Sequence, residues 1–259
     1  MNTITAQNNL KIQPLKKKAL FNWSSGKDSA LALHKILQNN EYEINCLLTI
    51  VNQQFQRISM HGVRVELLEQ QAKSIGLPLE IMQIPEMPTM EVYEAVMQTT
   101  LSKLKEQGVT HSIFGDIFLE DLRKYREDKL AEMNFEGVFP LWKIPSLDLI
   151  NEFIALGFKT IVVCVNERFL DKSFVGRVID QDFIDDLPEN VDVCGENGEF
   201  HTFTFDGPIF SKPISFEVGE VVYRKYEKPK NQDSSDTACD TSASDAFDFG
   251  FWYCDLVEK

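Results

Sequence analysis

The chain has 259 residues, of which 43% are hydrophobic and 25% are charged, and its formal net charge is −14. These values are typical of a globular protein with a core of ordinary size, in one large domain or two smaller ones. The excess of acidic residues argues against non-specific binding to nucleic acid, which needs clustered lysine and arginine.

Cysteines and hydrophobic segments indicate the compartment. The 5 cysteines are widely spaced and form no Cys-x-x-Cys pair, which favours reduced thiols over disulfides or a zinc site. The N-terminal residues are polar, and no run approaches the ~20 apolar residues that a membrane-spanning helix needs. We therefore expect a cytoplasmic protein that does not bind membranes.

Strand-like and helix-like segments alternate in the first half of the chain. Short apolar runs predict strands over residues 19–23, 44–51, 79–84 and 112–115. Amphipathic segments predict helices over residues 27–38, 59–75, 90–107 and 119–133. Gly76 and Gly108 end two of these helices. The order predicts an α/β fold, with a twisted parallel sheet and helices on both of its faces.

The alternation changes beyond Gly137. Further elements are predicted as a helix over 147–156 with Ser146 as its N-cap, a buried strand over 160–165, a short helix over 180–187, and strands over 201–205 and 214–226. Residues 228–246 are rich in Ser, Asp and Thr, which predicts a disordered linker. The aromatic segment 247–253 is expected to pack on this molecule or on a second copy in a homo-oligomer.

These patterns divide the chain into three parts. Residues 16–118 form the predicted nucleotide-binding domain, and residues 119–227 form a smaller α/β domain. Residues 228–259 form an acidic linker with an aromatic tail.

A polar loop follows the first strand, directly after Trp23. Its sequence, residues 24–29, is Ser-Ser-Gly-Lys-Asp-Ser, and the first helix begins within it. A helix N-terminus offers unpaired N–H groups and partial positive charge. Gly26 permits close approach of a bulky anion, and Lys27 adds a charge. The loop therefore predicts a phosphate-binding site, although an ordinary serine-rich helix cap would use the same residue types. Its spacing is not that of a Walker A loop.

Three other segments fall at the same edge of the predicted sheet. They are residues 49–51, residues 59–62 and Gly115-Asp116. Ligands of parallel α/β sheets bind beyond the carboxyl ends of the strands. The four segments together therefore predict one crevice.

The loop is similar to the PP-loop of ATP pyrophosphatases, Ser-Gly-Gly-x-Asp-Ser, with Ser25 in place of the first glycine. Further matching segments follow in order at residues 59–62, 115–117, 120–121, 125–127, 140–142 and 194–202. The last of them, Cys-Gly-Glu-Asn-Gly-Glu-Phe-His-Thr, is the most specific. Over residues 17–213 the chain resembles the diphthine–ammonia ligase family.

This resemblance implies a domain of the adenine-nucleotide-α-hydrolase-like (HUP-like) type and cleavage of ATP to AMP and pyrophosphate. In such a ligase the carboxylate of diphthine on elongation factor 2 attacks the α-phosphorus. Ammonia then displaces AMP from the acyl-adenylate and leaves an amide. In a bacterium the same chemistry would use another carboxylate.

The resemblance also implies roles for residues at the crevice. The nucleotide would be bound by Trp23, Ser24, Ser25, Gly26, Lys27, Asp28, Ser29, Thr49, Val51, Gly115 and Asp116. Carboxylate oxygens suit Mg²⁺, so Asp28 and Asp116 are the candidate metal ligands, although Asp28 could equally cap the helix. The candidate catalytic residues are Lys27, His61, Glu196 and Glu199. The candidate residues for binding the acceptor or ammonia are Arg126, Glu196, Asn197, Glu199 and His201.

The sequence also permits other interpretations. The protein could be a non-catalytic adenine-nucleotide-binding module, although the intact loop lysine and acid favour turnover. It could be a PP-loop enzyme that acts on RNA, although the net charge and the absence of a Cys-x-x-Cys pair argue against that. Glu196 and Glu199 could belong to a solvated acidic turn, and Arg126 to an ordinary charged helix face.

Overall fold

The computed structural model describes residues 15–86, 88–225 and 250–259, and contains two β-sheets. The strands of the first sheet are β1 (Lys17–Asn22), β2 (Tyr42–Asn52), β3 (Arg57–Ile58), β4 (Leu79–Ile84), β5 (His111–Ile113) and β6 (Glu136–Val138). Its helices are α1 (Lys27–Gln38), α2 (Val65–Ile75), α3 (Met90–Glu106) and α4 (Glu120–Glu132).

The first sheet has the strand order β4-β2-β1-β5-β6, and all of these pairs are parallel. β3 pairs antiparallel with the last residues of β2. In β1, Ala19 and Phe21 pack in one hydrophobic layer and Leu20 packs in the other, so both faces of the sheet are covered. Burial on both faces explains the continuous apolar runs of these strands. The predicted parallel α/β sheet is confirmed.

The second sheet is smaller and antiparallel. Its strands are β7 (Lys159–Asn166), β8 (Phe200–Asp206), β9 (Phe216–Lys225) and β10 (Gly250–Glu258), in the order β8-β7-β10-β9. The accompanying helices are α5 (Ser146–Ala155) and α6 (Gln181–Asp185). The aromatic tail therefore packs on this molecule, as β10. The predicted linker, residues 228–246, lies outside the described residues.

Some predicted boundaries were wrong. α2 begins at Val65, because residues 59–62 form a turn after β3, in which the Gly62 N–H donates to the Ile58 carbonyl and the Ile58 N–H donates to the Val63 carbonyl. Ser146 is the first residue of α5 and Pro145 stands at the N-cap, because the Pro145 carbonyl accepts the first hydrogen bonds of the helix, from the Asp148 N–H at 3.0 Å and the Leu149 N–H at 3.1 Å. The short strands β3 and β6 were not predicted.

One hydrophobic core joins both halves of the molecule. It includes Phe21 of β1 and Leu67 of α2 together with Phe203 of β8 and Leu256 of β10. The four cysteines among the described residues are free and buried. No helix in the described ranges is long and apolar enough to cross a membrane.

Candidate active site

The loop between β1 and α1 is held by its own hydroxyl groups. The Ser24 and Ser29 hydroxyls lie 3.0 Å apart, and the Gly26 N–H donates to Ser24 Oγ at 3.3 Å. Ser29 Oγ donates to the Gly26 carbonyl at 2.9 Å. Ser25 adopts a left-handed conformation, with φ of 71°. The loop is therefore a compact turn that enters α1 at Lys27.

β8 of the second sheet lies directly on this loop. Thr202 Oγ1 accepts a hydrogen bond from the Lys27 N–H at 3.0 Å. A Cβ atom at Gly26 would lie 3.1 Å from both Thr202 Oγ1 and His61 Cε1. A side chain at position 26 would therefore push the two halves of the site apart. The glycine is needed for this close approach within the protein.

The Lys27 side chain points into the protein and is only 3% exposed. Its Nζ donates to both Asp28 carboxylate oxygens at 2.7 Å and to the Cys194 carbonyl. Burial lowers the pKa of Lys27, but the Asp28 carboxylate outweighs that effect and holds the pKa above its usual value. The charged ammonium thus lies between the loop and the segment that contains Glu196.

Glu196 joins the second sheet's loop to the first sheet. Its Oε1 accepts a hydrogen bond from the Ile117 N–H at 2.8 Å, and its own N–H donates to Asp192 Oδ2 at 3.0 Å. Burial raises the pKa of Glu196 to about 7. A carboxyl with a pKa near neutrality is suited to exchanging protons in a reaction.

Glu199 is buried, with 1% exposure, and closes the turn next to Glu196. Its Oε1 accepts hydrogen bonds from the Asp192 N–H and from Asn197 Nδ2, both at 3.0 Å. No donor among the described residues reaches its Oε2. Glu199 and Asn197 therefore shape the acidic turn, and one carboxylate oxygen is left over.

His61 and His201 form a pair beside the loop, with ring centroids 4.7 Å apart. His61 Nδ1 lies 3.2 Å from the Thr202 carbonyl, which can only accept, so Nδ1 carries the proton and Nε2 has a lone pair. Burial lowers the pKa of His61 to about 4 and that of His201 well below its usual value. Both imidazoles are neutral at pH 7.

Asp116 and Arg126 form an ion pair with an N–O distance of 2.8 Å. The Arg126 guanidinium also lies 4.4 Å from the centre of the Phe114 ring. Burial raises the pKa of Asp116 more than Arg126 lowers it, and the Asp28 carboxylate adds to the increase. The two candidate metal ligands are thus close enough to interact, and each has a cationic partner.

The other predicted nucleotide-binding residues turn their side chains into the protein. Trp23 Nε1 donates to Gln71 Oε1 at 2.9 Å, and Thr49 Oγ1 donates to the Trp23 carbonyl at 2.7 Å. Val51 is fully buried. A Cβ at Gly115 would lie 3.0 Å from the Ser29 backbone nitrogen. The buried side chains of these residues therefore support the loop from within the protein.

A cavity of about 360 Å³ lies between α3, α4 and the sheet, and it reaches Asn22, two residues before the loop. Asn22 and Ser112 line its inner end at the carboxyl ends of β1 and β5, and Tyr93 and Tyr125 line the side formed by the helices. Asn22 Nδ2 donates to Ser112 Oγ at 2.8 Å. Sequence reasoning missed this cavity, although a polar Asn22 at the end of an apolar strand was a signal.

Three polar residues that hold the site together were also missed, of which Gln71 and Thr202 are buried and Asp192 is partly buried. Gln71 of α2 accepts from Trp23 and donates to the Ser25 carbonyl at 3.1 Å and the Thr204 carbonyl at 2.6 Å. Thr202 bonds the loop, and Asp192 bonds the acidic turn. The partners of Gln71 and Thr202 are far away in the sequence, so local patterns do not reveal these two residues.

Two family models match the chain. The diphthamide synthase N-terminal domain matches residues 16–134, and the diphthamide synthase C-terminal domain matches residues 145–230. The diphthine–ammonia ligase of Bos taurus is 31% identical over 128 residues, which are 47% of this chain and 48% of that protein. The Homo sapiens diphthine–ammonia ligase is 30% identical over the same share of each chain. The Danio rerio protein of that name is 28% identical over 131 residues, 47% of this chain and 50% of that protein.

The chain therefore spans about half the length of these relatives. The two family models nevertheless cover most of the chain. The N-terminal model matches the part that forms the first sheet, and the C-terminal model matches most of the part that forms the second sheet. The protein belongs to the diphthine–ammonia ligase family.

Proposed function

We propose that this protein is a cytoplasmic ligase that cleaves ATP to AMP and pyrophosphate, adenylates a carboxylate and forms an amide with ammonia. The observation that carries the proposal is the position of Lys27. It begins α1 at the end of a phosphate-type loop, and its ammonium contacts the segment that contains Glu196. A phosphate-binding element and an acidic turn thus meet at one place.

The loop and the cavity together suit an adenine nucleotide. The backbone and hydroxyl groups of residues 24–29, with the Lys27 charge, would hold the β- and γ-phosphates. The adenosine would enter the cavity, whose volume lies within the usual range for ligand sites. The Tyr93, Phe114 and Tyr125 rings offer apolar surface for the base, and Arg126 would contact the ribose or the α-phosphate.

The acids near the loop fit a magnesium ion. The carboxylates of Asp28 and Asp116 supply hard oxygen ligands. Burial raises the pKa of both groups, and the charge of Asp28 raises the pKa of Asp116 further. A divalent cation would reduce this repulsion. Mg²⁺ usually takes one or two carboxylates together with substrate phosphates. We propose that Asp28 and Asp116 hold it, and that it would offset charge on the pyrophosphate leaving group.

The first step joins the acceptor to the nucleotide. A carboxylate oxygen attacks the α-phosphorus, the bond between the α-phosphorus and its bridging oxygen breaks, and pyrophosphate leaves. Charge grows on the leaving pyrophosphate, where the Lys27 ammonium and the N-terminus of α1 would stabilise it.

The second step forms the amide. Ammonia attacks the acyl carbon, the C–O bond to AMP breaks, and the nitrogen gives up a proton. Glu196, with a pKa of about 7, and the unprotonated Nε2 of His61 are suitable acceptors for that proton. Glu199, Asn197 and His201 would bind the ammonia or the acceptor beside them.

The acceptor follows from the family. The relatives are named for diphthine and ammonia, so we propose diphthine of elongation factor 2 as the acceptor, or another carboxylate in a host without diphthine. RNA is a poor candidate because the net charge is −14.

Release of pyrophosphate tests the proposal. The purified protein is incubated with Mg²⁺-ATP, ammonium and elongation factor 2 that carries diphthine, and pyrophosphate, AMP and the amide are measured. We expect the three products in equal amounts, and no amide when ammonium is omitted. Lys27→Met should weaken ATP binding at least tenfold. Lys35→Met is the matched control, since Lys35 lies on α1 and pairs with Glu152 on the surface.

Each alternative gives a different result. ATP binding without pyrophosphate release with this or other carboxylate acceptors would identify a non-catalytic nucleotide-binding module. Pyrophosphate release that depends on RNA would identify an RNA-modifying enzyme. Absence of ATP and AMP binding at millimolar ligand would refute the proposal altogether.

A further inference from the structure

Asp255, near the end of β10, contacts the two arginines that flank the turn bearing His61. Its Oδ1 accepts from Arg57 Nη1 at 2.8 Å and from Arg64 Nε at 3.0 Å, and its Oδ2 accepts from Arg64 Nη2 at 2.7 Å. Arg57 lies in β3, before the turn at residues 59–62, and Arg64 lies directly before α2. One carboxylate therefore fixes both ends of the turn.

The turn itself is also held from β10. Arg57 Nη1 donates to the Gly62 carbonyl at 2.7 Å as well as to Asp255. Gly62 has φ of 70°, and a Cβ at this position would lie 3.0 Å from the Tyr253 ring. The backbone next to His61 is therefore positioned by the hydrogen bond from Arg57, which Asp255 holds in place, and by one close packing contact.

β8 holds His61 from the other direction. The Thr202 carbonyl accepts a hydrogen bond from its Nδ1, and the His201 ring packs against its imidazole at an interplanar angle of 35°. β8 and β10 are the two neighbours of β7 in the second sheet. The sheet thus contacts the turn at two separate places, through the ring and through the backbone.

We propose that Asp255 is a positioning residue that, through Arg57 and Arg64, fixes the His61 imidazole next to the phosphate-binding loop. A Cβ at Gly26 would lie only 3.1 Å from His61 Cε1, so a small shift of the turn changes how the ring meets the loop. β10 follows the residues matched by the family models, which end at 230. The effect on turnover rests on the proposed role of His61.

The imidazole signals of the four histidines provide a test that does not need activity. In Asp255→Asn, the nitrogen and proton resonances of His61 and His201 should shift or broaden. Those of His34 and His111 should stay unchanged and serve as internal references. Arg57→Lys should reproduce the pattern, because lysine keeps the charge but lacks the fork of donors.

A matched control lies on the same strand. Glu258 accepts a hydrogen bond from Gln70 of α2 at 2.6 Å, so it also links β10 to the first half, but it does not contact the turn. Glu258→Gln should leave all four imidazoles and the turnover unchanged.

Turnover gives the second readout. Asp255→Asn should lower pyrophosphate release about tenfold, since misplacement of a reacting group costs rates of this size. In a His61→Ala background the same substitution should change the rate less than about twofold, because the two residues act through one contact.

Two results would overturn the inference: unchanged His61 resonances in Asp255→Asn, or an equal loss of rate with and without His61. If His61→Ala alone keeps full turnover, the proposed catalytic role of His61 fails. The imidazole spectra then decide the positioning role by themselves.

Discussion

Ser25 occupies a backbone conformation in which serine is uncommon. Its φ is 71°, a value that glycine adopts without strain. Two hydrogen bonds stabilise this conformation, because the Ser25 carbonyl accepts from the Thr204 N–H at 2.9 Å and from Gln71 Nε2 at 3.1 Å. Its hydroxyl is buried, and no partner among the described residues reaches it. A left-handed position explains why the PP-loop pattern has glycine here.

Ser25→Gly should therefore be tolerated. Relief of strain and loss of a buried hydroxyl oppose the extra entropy of glycine in the unfolded chain, so the free energy of unfolding should change by less than about 1 kcal/mol. Ser25→Val should lower it by about 2 kcal/mol or more, because a β-branched residue is strained at this φ. Urea denaturation of the three proteins measures this. Equal stability of the two variants would contradict the explanation.

The raised pKa of Glu196 predicts a pH dependence of stability. Its pKa is about 7 in the folded protein, against 4.5 as the ordinary value. Between these values the folded state binds more protons than the unfolded state, so the contribution of Glu196 to stability falls as pH rises from about 4.5 to 7. Below pH 4.5 the Glu196 carboxyl is protonated in both states, and it costs no stability. Above pH 7 it is ionised in both states, and the full cost of burying the charge lowers the free energy of unfolding.

Glu196→Gln should remove this dependence while keeping an oxygen for the Ile117 N–H. Relative to the wild type, the variant should gain on the order of 1–3 kcal/mol of unfolding free energy between pH 4.5 and pH 8. Urea midpoints of both proteins at the two pH values measure the gain. A constant difference between the proteins would show that Glu196 is not buried as described. Turnover of the variant should be strongly reduced.

At the level of elements, β10 is an inner strand of the second sheet. It pairs with β7 on one side and β9 on the other, although it is separated from β9 along the chain by residues 226–249. Leu256 of this strand packs in the core shared by both halves, whereas its neighbour Val257 is 39% exposed. Successive side chains of a strand point to opposite faces, so Leu256 points into the core and Val257 points to solvent.

Leu256→Ala should lower the free energy of unfolding by about 2–4 kcal/mol, since it removes a buried side chain from a packed core. Val257→Ala is the matched control and should cost less than about 1 kcal/mol. Chemical denaturation measures both. If the two substitutions cost the same, the assigned register of β10 is wrong.

At the level of the whole molecule, the two sheets share one core. Phe21 and Leu67 of the first half and Phe203 and Leu256 of the second belong to the same hydrophobic cluster. The site lies at the junction, where Thr202 bonds the Lys27 N–H and Asp255 bonds Arg57. Neither half can unfold without exposing apolar surface of the other.

Calorimetry should therefore show a single unfolding transition, and Mg²⁺-ATP should move the whole transition to higher temperature, because ligand binds only the folded state. Two transitions, of which ATP shifts only one, would mean that the halves unfold separately.

Sequence patterns located the elements that local chemistry specifies. The bounds of α1 and β4 were predicted as observed, since an amphipathic run and a short apolar run between clear breakers define them. Gly76 ends α2 in the left-handed conformation that the prediction assumed. β3 and β6, of 2 and 3 residues, exist only because neighbouring strands pair with them, so no local pattern reveals them.

For the site, the sequence alone determined which chemical groups are available: the loop of residues 24–29, the histidines His61 and His201, and the paired acids of residues 194–202. Only the tertiary structure decided how they meet. Lys27 contacts a carbonyl 167 positions away, and its N–H bonds a threonine 175 positions away. Such contacts follow from how the second sheet packs on the first, because long-range packing leaves no periodic signal in the chain.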